Sequence, residues 1–100
     1  MIRGTTPTHI FELEISVENI ADLEIAYSQN DRVLFYKRKD DCVLDGNTIT
    51  LSLTQEETFM FDCSKRVVEI QIRIKTIDGK VPISDIIIDN VEKCLFDCVI

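Results

Sequence analysis

Hydrophobic and polar residues alternate strictly along residues 66–76, whose sequence is RVVEIQIRIKT. Val68, Ile70, Ile72 and Ile74 occupy every second position, and mostly charged or amide side chains lie between them. Side chains of a β-strand point alternately to its two faces, so this pattern predicts a strand with one buried and one solvated face. Because such a strand cannot bury its apolar row alone, the rest of the chain must supply a facing layer.

Shorter alternating stretches on both sides of this strand predict further strands. They cover residues 8–16, 21–28, 32–39, 48–53 and 83–91, and residues 42–44 lead into the fourth of these. Polar turns separate several of them, at residues 29–31, 45–47 and 78–79. The Asp45-Gly46 pair is typical of a type I′ hairpin turn, in which both central residues have positive φ.

One helical turn is predicted in this otherwise β-rich chain. Thr54 and Glu57 have the spacing of a capping box, in which each side chain binds the other residue's backbone amide. Phe59 and Phe61 follow and are expected to close the edge of the core. Six to seven short strands with one helical turn predict a single domain, residues 1–100, that folds as an antiparallel β-sandwich of the immunoglobulin or fibronectin III type. A small β-barrel is the second choice.

Charge and hydropathy narrow the classes of partner. The formal net charge of −7 argues against nucleic acid, because phosphate binding needs a basic face. The N-terminal stretch MIRGTTPTHIF has no apolar run of signal-peptide length, and no run long enough for a membrane span occurs. We therefore expect a protein that is kept in the cytoplasm or is assembled there into something larger, with its cysteines as thiols.

Candidate catalytic and metal-binding residues are few. The single histidine, His9, lies in the inward phase of a strand and is expected to be structural, since no fixed partner is evident in the sequence. Neither a nucleophile–base set nor a glycine-rich phosphate loop is present. Cys94 and Cys98 have a tolerable zinc spacing, but Cys42 and Cys63 stand alone. The sequence thus predicts no enzyme, no cofactor, no metal and no small-molecule substrate.

Surplus apolar residues are the feature that an ordinary sandwich does not explain. The strand over residues 32–39 places Val33 and Phe35 on one face and Leu34 and Tyr36 on the other. A two-sheet sandwich has one core, so outward apolar residues imply a face covered by the C-terminal tail or by another subunit. The predicted interface residues are Ile10, Leu34, Tyr36, Ile87, Leu95, Phe96, Val99 and Ile100.

Two stretches carry a family resemblance. Residues 1–9, MIRGTTPTH, and the pairing of DGNTI at residues 45–49 with LTQEET at residues 53–58 resemble a small prophage-borne family of Firmicute bacteria. The match in length and order covers the whole chain, although the cysteines and the acidic FELEI at residues 11–15 depart from the family's pattern. The resemblance implies a place among phage tail or baseplate genes and implies no activity.

Two hypotheses follow. The first is a structural, virion-associated protein of a phage or prophage that works through protein–protein contacts, with itself as a homo-oligomer or with other structural proteins. The second is a soluble intracellular β-sandwich module that binds a host or phage protein as a monomer.

Overall fold

Seven strands and one short α-helix form the regular structure of the part of the chain described in this computed structural model, residues 1–62, 64, 66–92, 94–96 and 100. They are an antiparallel all-β sandwich, which confirms the predicted fold class. The elements are β1 Thr8–Glu12, β2 Ile20–Gln29, β3 Arg32–Arg38, β4 Cys42–Asp45, β5 Thr48–Ser52, α1 Gln55–Phe59, β6 Val67–Thr76 and β7 Ile87–Asn90.

The strands divide into two sheets. The smaller sheet has the order β1-β5-β4, and the larger has the order β3-β2-β6-β7. The chain passes between the sheets through the 3₁₀ turns Val17–Asn19 and Lys39–Asp41 and through α1. The predicted strand at residues 66–76 is β6, and it lies between β2 and β7.

The core lies between the inward rows of the two sheets. Val68, Ile70, Ile72 and Ile74 on β6 are buried, as the alternation predicted. Each such side chain stabilises the fold by about 1.5–3 kcal/mol through removal of apolar surface from water. The other buried apolar residues are Ile20, Leu23, Ile25, Tyr27, Ile49, Leu51, Leu53, Phe61 and Val91.

The helical turn forms where the capping box predicted it. The Thr54 hydroxyl accepts a hydrogen bond from the Glu57 amide at 3.2 Å, and the Glu57 carboxylate accepts one from the Thr54 amide at 2.9 Å. The N-terminal lead-in packs against this helix, because the Gly4 amide donates to the buried Thr58 hydroxyl at 2.9 Å. Arg3 donates to the carbonyls of Phe59 and Phe61.

Both two-residue hairpins form, but one turn type differs from the prediction. Asn30 and Asp31 have φ of 53° and 60°, the arrangement of a type I′ turn. In the turn between β4 and β5, Gly46 has a φ of 60° while Asn47 lies outside the positive-φ region. The predicted type I′ turn at Asp45-Gly46 is therefore wrong, because glycine alone at the first central position suits type II′.

A register shift in β3 changes which of its side chains face the core. Tyr27 pairs with Phe35 and Ser28 pairs with Val33, so Leu34 is an extra residue on β3. Such an insertion moves the following side chains to the other face. Leu34 and Phe35 both pack against the core, whereas Val33 and Tyr36 are exposed. The predicted pairing of Leu34 with Tyr36 on one exposed face is thus wrong.

Candidate protein-interaction surfaces

The first candidate surface is an open groove at one side of the sandwich. Here β1 ends at Glu12, shorter than the predicted strand, and β7 begins only at Ile87. A cavity of about 400 Å³ lies between the stretches that follow β1 and precede β7. We call it the seam groove, and its lining consists of Glu12, Leu13, Glu14, Ile15, Ile72, Ile74, Pro82, Ile83, Ser84 and Asp85.

The seam groove continues into a larger cleft at the end of the sandwich. Ile15 and Pro82 line both cavities, and the second has a volume of about 740 Å³. Ile77 and Val81 add exposed apolar surface there. The two cavities therefore adjoin at Ile15 and Pro82.

The segment at residues 80–84 forms one wall of the groove and is held to β6 by alternate residues. The Thr76 amide donates to the Lys80 carbonyl at 2.8 Å, Ile74 to Pro82 at 3.0 Å, and Ser84 to Ile72 at 2.8 Å. In an antiparallel pair, the residues between the bonded ones direct their backbone groups to the opposite side. Val81 and Ile83 therefore present their backbone groups away from β6.

The charges around the groove are mainly negative. Glu12, Glu14 and Asp85 line the first cavity, and Asp78 and Lys80 line the second. The Thr76 hydroxyl donates a hydrogen bond to the Asp78 carboxylate and lowers the pKa of that group. Asp78 is thus ionised at neutral pH, and the groove combines an apolar floor with an acidic rim.

The second candidate surface is the outer face of the smaller sheet. Thr50 on β5 pairs with Ile10 on β1 and with Val43 on β4, so the three side chains form one row across the sheet. Ile10 is 66% exposed and Val43 is 68% exposed. Sequence analysis predicted Ile10 as an interface residue but did not predict Val43. The available signal was that Val43 and Leu44 are neighbours on one strand, so their side chains point to opposite faces.

The outer face of the larger sheet carries Tyr36 beside an ionic row. Tyr36 is exposed and pairs with Ala26 on β2. The Glu24 carboxylate accepts from Arg73 and lies 3.1 Å from Arg38, so it bridges β2 to both neighbouring strands. The hydrogen bond with Glu24 raises the pKa of Arg73. The outer face of the larger sheet is therefore mostly charged and carries one exposed aromatic side chain.

The predicted interface residues do not form one patch. Ile10 and Tyr36 lie on the outer faces of different sheets, on opposite sides of the sandwich. Ile87 lies on the edge strand β7, and Leu34 is half-buried against the core. In the tail, Leu95 is 88% exposed, Phe96 is 75% exposed and Ile100 is fully exposed, whereas Val99 lies outside the described residues. These three side chains therefore leave most of their surface exposed to solvent.

His9 has two partners that the sequence did not reveal. Its Nδ1 lies 2.8 Å from the Tyr27 hydroxyl, and its Nε2 lies 3.0 Å from Oδ2 of Asp89. Tyr27 is fully buried, and burial raises the pKa of its phenol far above the ordinary value. The two contacts of His9 therefore link β1, β2 and β7.

The described cysteines and acidic residues do not form a metal centre. Cys42 and Cys94 are free thiols, and burial raises the pKa of Cys42. Cys63 and Cys98 lie outside the described residues. The possible zinc-ligand pair of Cys94 and Cys98 therefore lies partly outside them as well. Within the described part of the chain, no cluster of three or more histidine, cysteine, aspartate or glutamate side chains could hold a metal ion. No helix among the same residues is long and apolar enough to cross a membrane.

The comparisons with known proteins add no relative. Protein-family models, curated proteins and solved structures were each compared with this chain, and none of the three comparisons finds a match.

Proposed function

We propose that this chain is a structural protein of a phage or prophage particle, of the tail or baseplate type, that works through contacts with copies of itself or with other particle proteins. The observation that carries the proposal is the apolar surface left exposed on both outer faces and on the tail. Ile10, Val43, Tyr36, Leu95 and Phe96 all contribute to it. Ile10 and Val43 lie in one row across the smaller sheet, and contiguous exposed apolar surface of this kind is typical of protein–protein interaction sites.

The resemblance of residues 1–9, and of residues 45–49 paired with residues 53–58, to a prophage-borne family supports the choice of a phage particle. Residues 1–9 and 53–58 meet in the fold, since the Gln55 side-chain amide donates to the Gly4 carbonyl at 3.2 Å and the Thr58 hydroxyl donates to the Thr5 carbonyl at 2.8 Å. Residues 45–49 lie at the other end of β5, where they form the turn that follows β4.

Assembly is expected to be concentration-dependent. Burial of a few large apolar side chains contributes several kcal/mol at roughly 25 cal/mol per Å², against an association cost of similar size. Because every copy carries a net charge of −7, added salt should strengthen self-association by screening repulsion.

Sedimentation and light scattering across protein and salt concentration test this proposal. We expect Tyr36→Ser and Phe96→Ser to weaken assembly, and Met60→Ser, which alters an exposed side chain on the helix end, to leave it unchanged. A strict monomer at high salt, with no particle protein co-purifying, would favour the monomeric intracellular binding module instead. Capsid and tail genes beside this gene would support the particle role.

A further inference from the structure

We propose that the seam groove binds an extended, basic and apolar segment of another protein, which adds a strand beside residues 81–85. The inference rests on the proposed role in protein–protein contacts and specifies where one partner binds and with what chemistry. Its evidence is the combination of free backbone groups, apolar floor and acidic rim at one place.

The backbone supplies the first part of the argument. The alternation of hydrogen bonds to β6 directs the backbone groups of Val81 and Ile83 away from that strand, toward the open side. An incoming strand satisfies such an edge by antiparallel or parallel pairing, which is a recurrent way for proteins to bind extended peptides. Pro82 lies between these two residues and directs its carbonyl to the Ile74 amide on β6. Its missing amide therefore takes no hydrogen-bond donor away from the outer edge.

The floor of the groove supplies the second part. Leu13 and Ile15 on one side and Ile72 and Ile74 on the other leave a cavity of about 400 Å³ between the sheets. Side chains of an added strand alternate between two faces, so every second residue would enter this apolar space. Small or branched apolar residues fit these positions.

The charges at the rim of the groove supply the third part of the argument and indicate the charge of the partner segment. Glu12, Glu14, Asp78 and Asp85 outnumber the single basic residue, Lys80, along the two cavities. Lysine or arginine in the added segment would lie near these carboxylates, which favours a basic segment. The chain's own tail has one lysine, Lys93, and one aspartate, Asp97, and so brings no net positive charge from its side chains.

The test uses the full chain, labelled with ¹⁵N, and three synthetic peptides of about nine residues, long enough to span the groove at about 3.3 Å per residue. The first alternates valine and lysine, the second alternates valine and glutamate, and the third is the first with every backbone amide methylated. We expect the valine–lysine peptide alone to bind, with amide shift changes concentrated at residues 13–15 and 81–85. The methylated peptide fails because it cannot pair as a strand, and this comparison alters nothing in the protein.

Matched variants locate the site. Asp85→Lys should weaken the valine–lysine peptide about five-fold at low salt, since an exposed charge contact is lost, while Glu56→Lys on α1 should not. Ile83→Ser should also weaken it, and Val43→Ser, an equally exposed position on the other sheet, should not. Equal binding of the acidic or methylated peptide, equal effects of site and control variants, or no binding at about 1 mM would overturn the inference.

The outcomes separate the two proposals. A chain that assembles but binds no peptide would contradict the seam groove alone. A chain that binds the peptide at residues 81–85 but stays monomeric and joins no particle would contradict the particle role and retain the groove as a binding site.

Discussion

His9 on β1 and Asp89 on β7 join the two sheets across the side of the sandwich, with 3.0 Å between Nε2 and Oδ2. The imidazole is mostly buried, and its other nitrogen lies 2.8 Å from the phenol of Tyr27. One side chain thereby ties the edge strands of both sheets to a central strand.

The first prediction concerns this link. A double-mutant cycle of His9→Ala and Asp89→Ala should give a coupling free energy of about 0.5–3 kcal/mol, because the two groups are in direct contact. Urea unfolding of the four proteins measures it. As a control, His9→Ala and Asp85→Ala should be additive within about 0.5 kcal/mol. Equal additivity in both cycles would show that the His9–Asp89 contact contributes nothing to stability.

The second prediction is a loss of stability at high pH. Burial, followed by the charges of Cys42, Glu57 and Asp89, raises the pKa of Tyr27 above its ordinary value of 10.0. The folded state therefore keeps the proton that the unfolded state loses, so the stabilisation is complete below pH 10 and falls as the pH rises above it.

Two matched variants test that pH dependence. Tyr27→Phe should cost about 1 kcal/mol at neutral pH through the lost hydrogen bond, and should flatten the decline in unfolding free energy above pH 10. Tyr36→Phe removes an exposed phenol and should leave the slope as it is in the parent protein. A Tyr27→Phe protein with an unchanged alkaline slope would show that other groups cause the decline.

The third prediction concerns which side chains of β6 face the core. Ile70→Ala and Ile72→Ala should each cost roughly 2–5 kcal/mol, because each leaves a cavity in the core. Gln71→Ala, between them on the outer face, should cost less than about 1 kcal/mol. Denaturant midpoints give these values, and similar costs for all three would mean that both faces of β6 are buried in solution.

The fourth prediction concerns Gly4 and the ring of Phe59. Gly4 has a φ of 84°, and a Cβ atom there would lie 2.6 Å from the ring, whereas one on Gly79, with a φ of 90°, would meet nothing within 4 Å. Gly79→Ala should cost about 1–2 kcal/mol from backbone strain alone, and Gly4→Ala should cost more. Thermal unfolding compares them. Adding Phe59→Leu should recover part of the stability lost in Gly4→Ala. If no stability is recovered, the clash with the Phe59 ring is not the cause of the loss.

Much of the fold was predictable because its signals are local. The period of two in β6 follows from the pleat of a strand, and the Thr54–Glu57 box acts over one helical turn. The same kind of signal located the polar turn at Asn30-Asp31. The candidate surfaces were predicted only in part, because exposure of Ile10 and Tyr36 follows from strand phase whereas the seam groove does not.

The sequence by itself determined the approximate strands, the inward row of β6 and the positions of the hairpins, since these depend on residues close together in the chain. Tertiary structure decided the rest. The register shift that turns Leu34 inward depends on pairing with β2, and the partner of His9 lies 80 residues away. The seam groove lies where β1 ends at Glu12 and β7 begins only at Ile87. Contacts between distant segments set strand ends and register, and no local pattern encodes them.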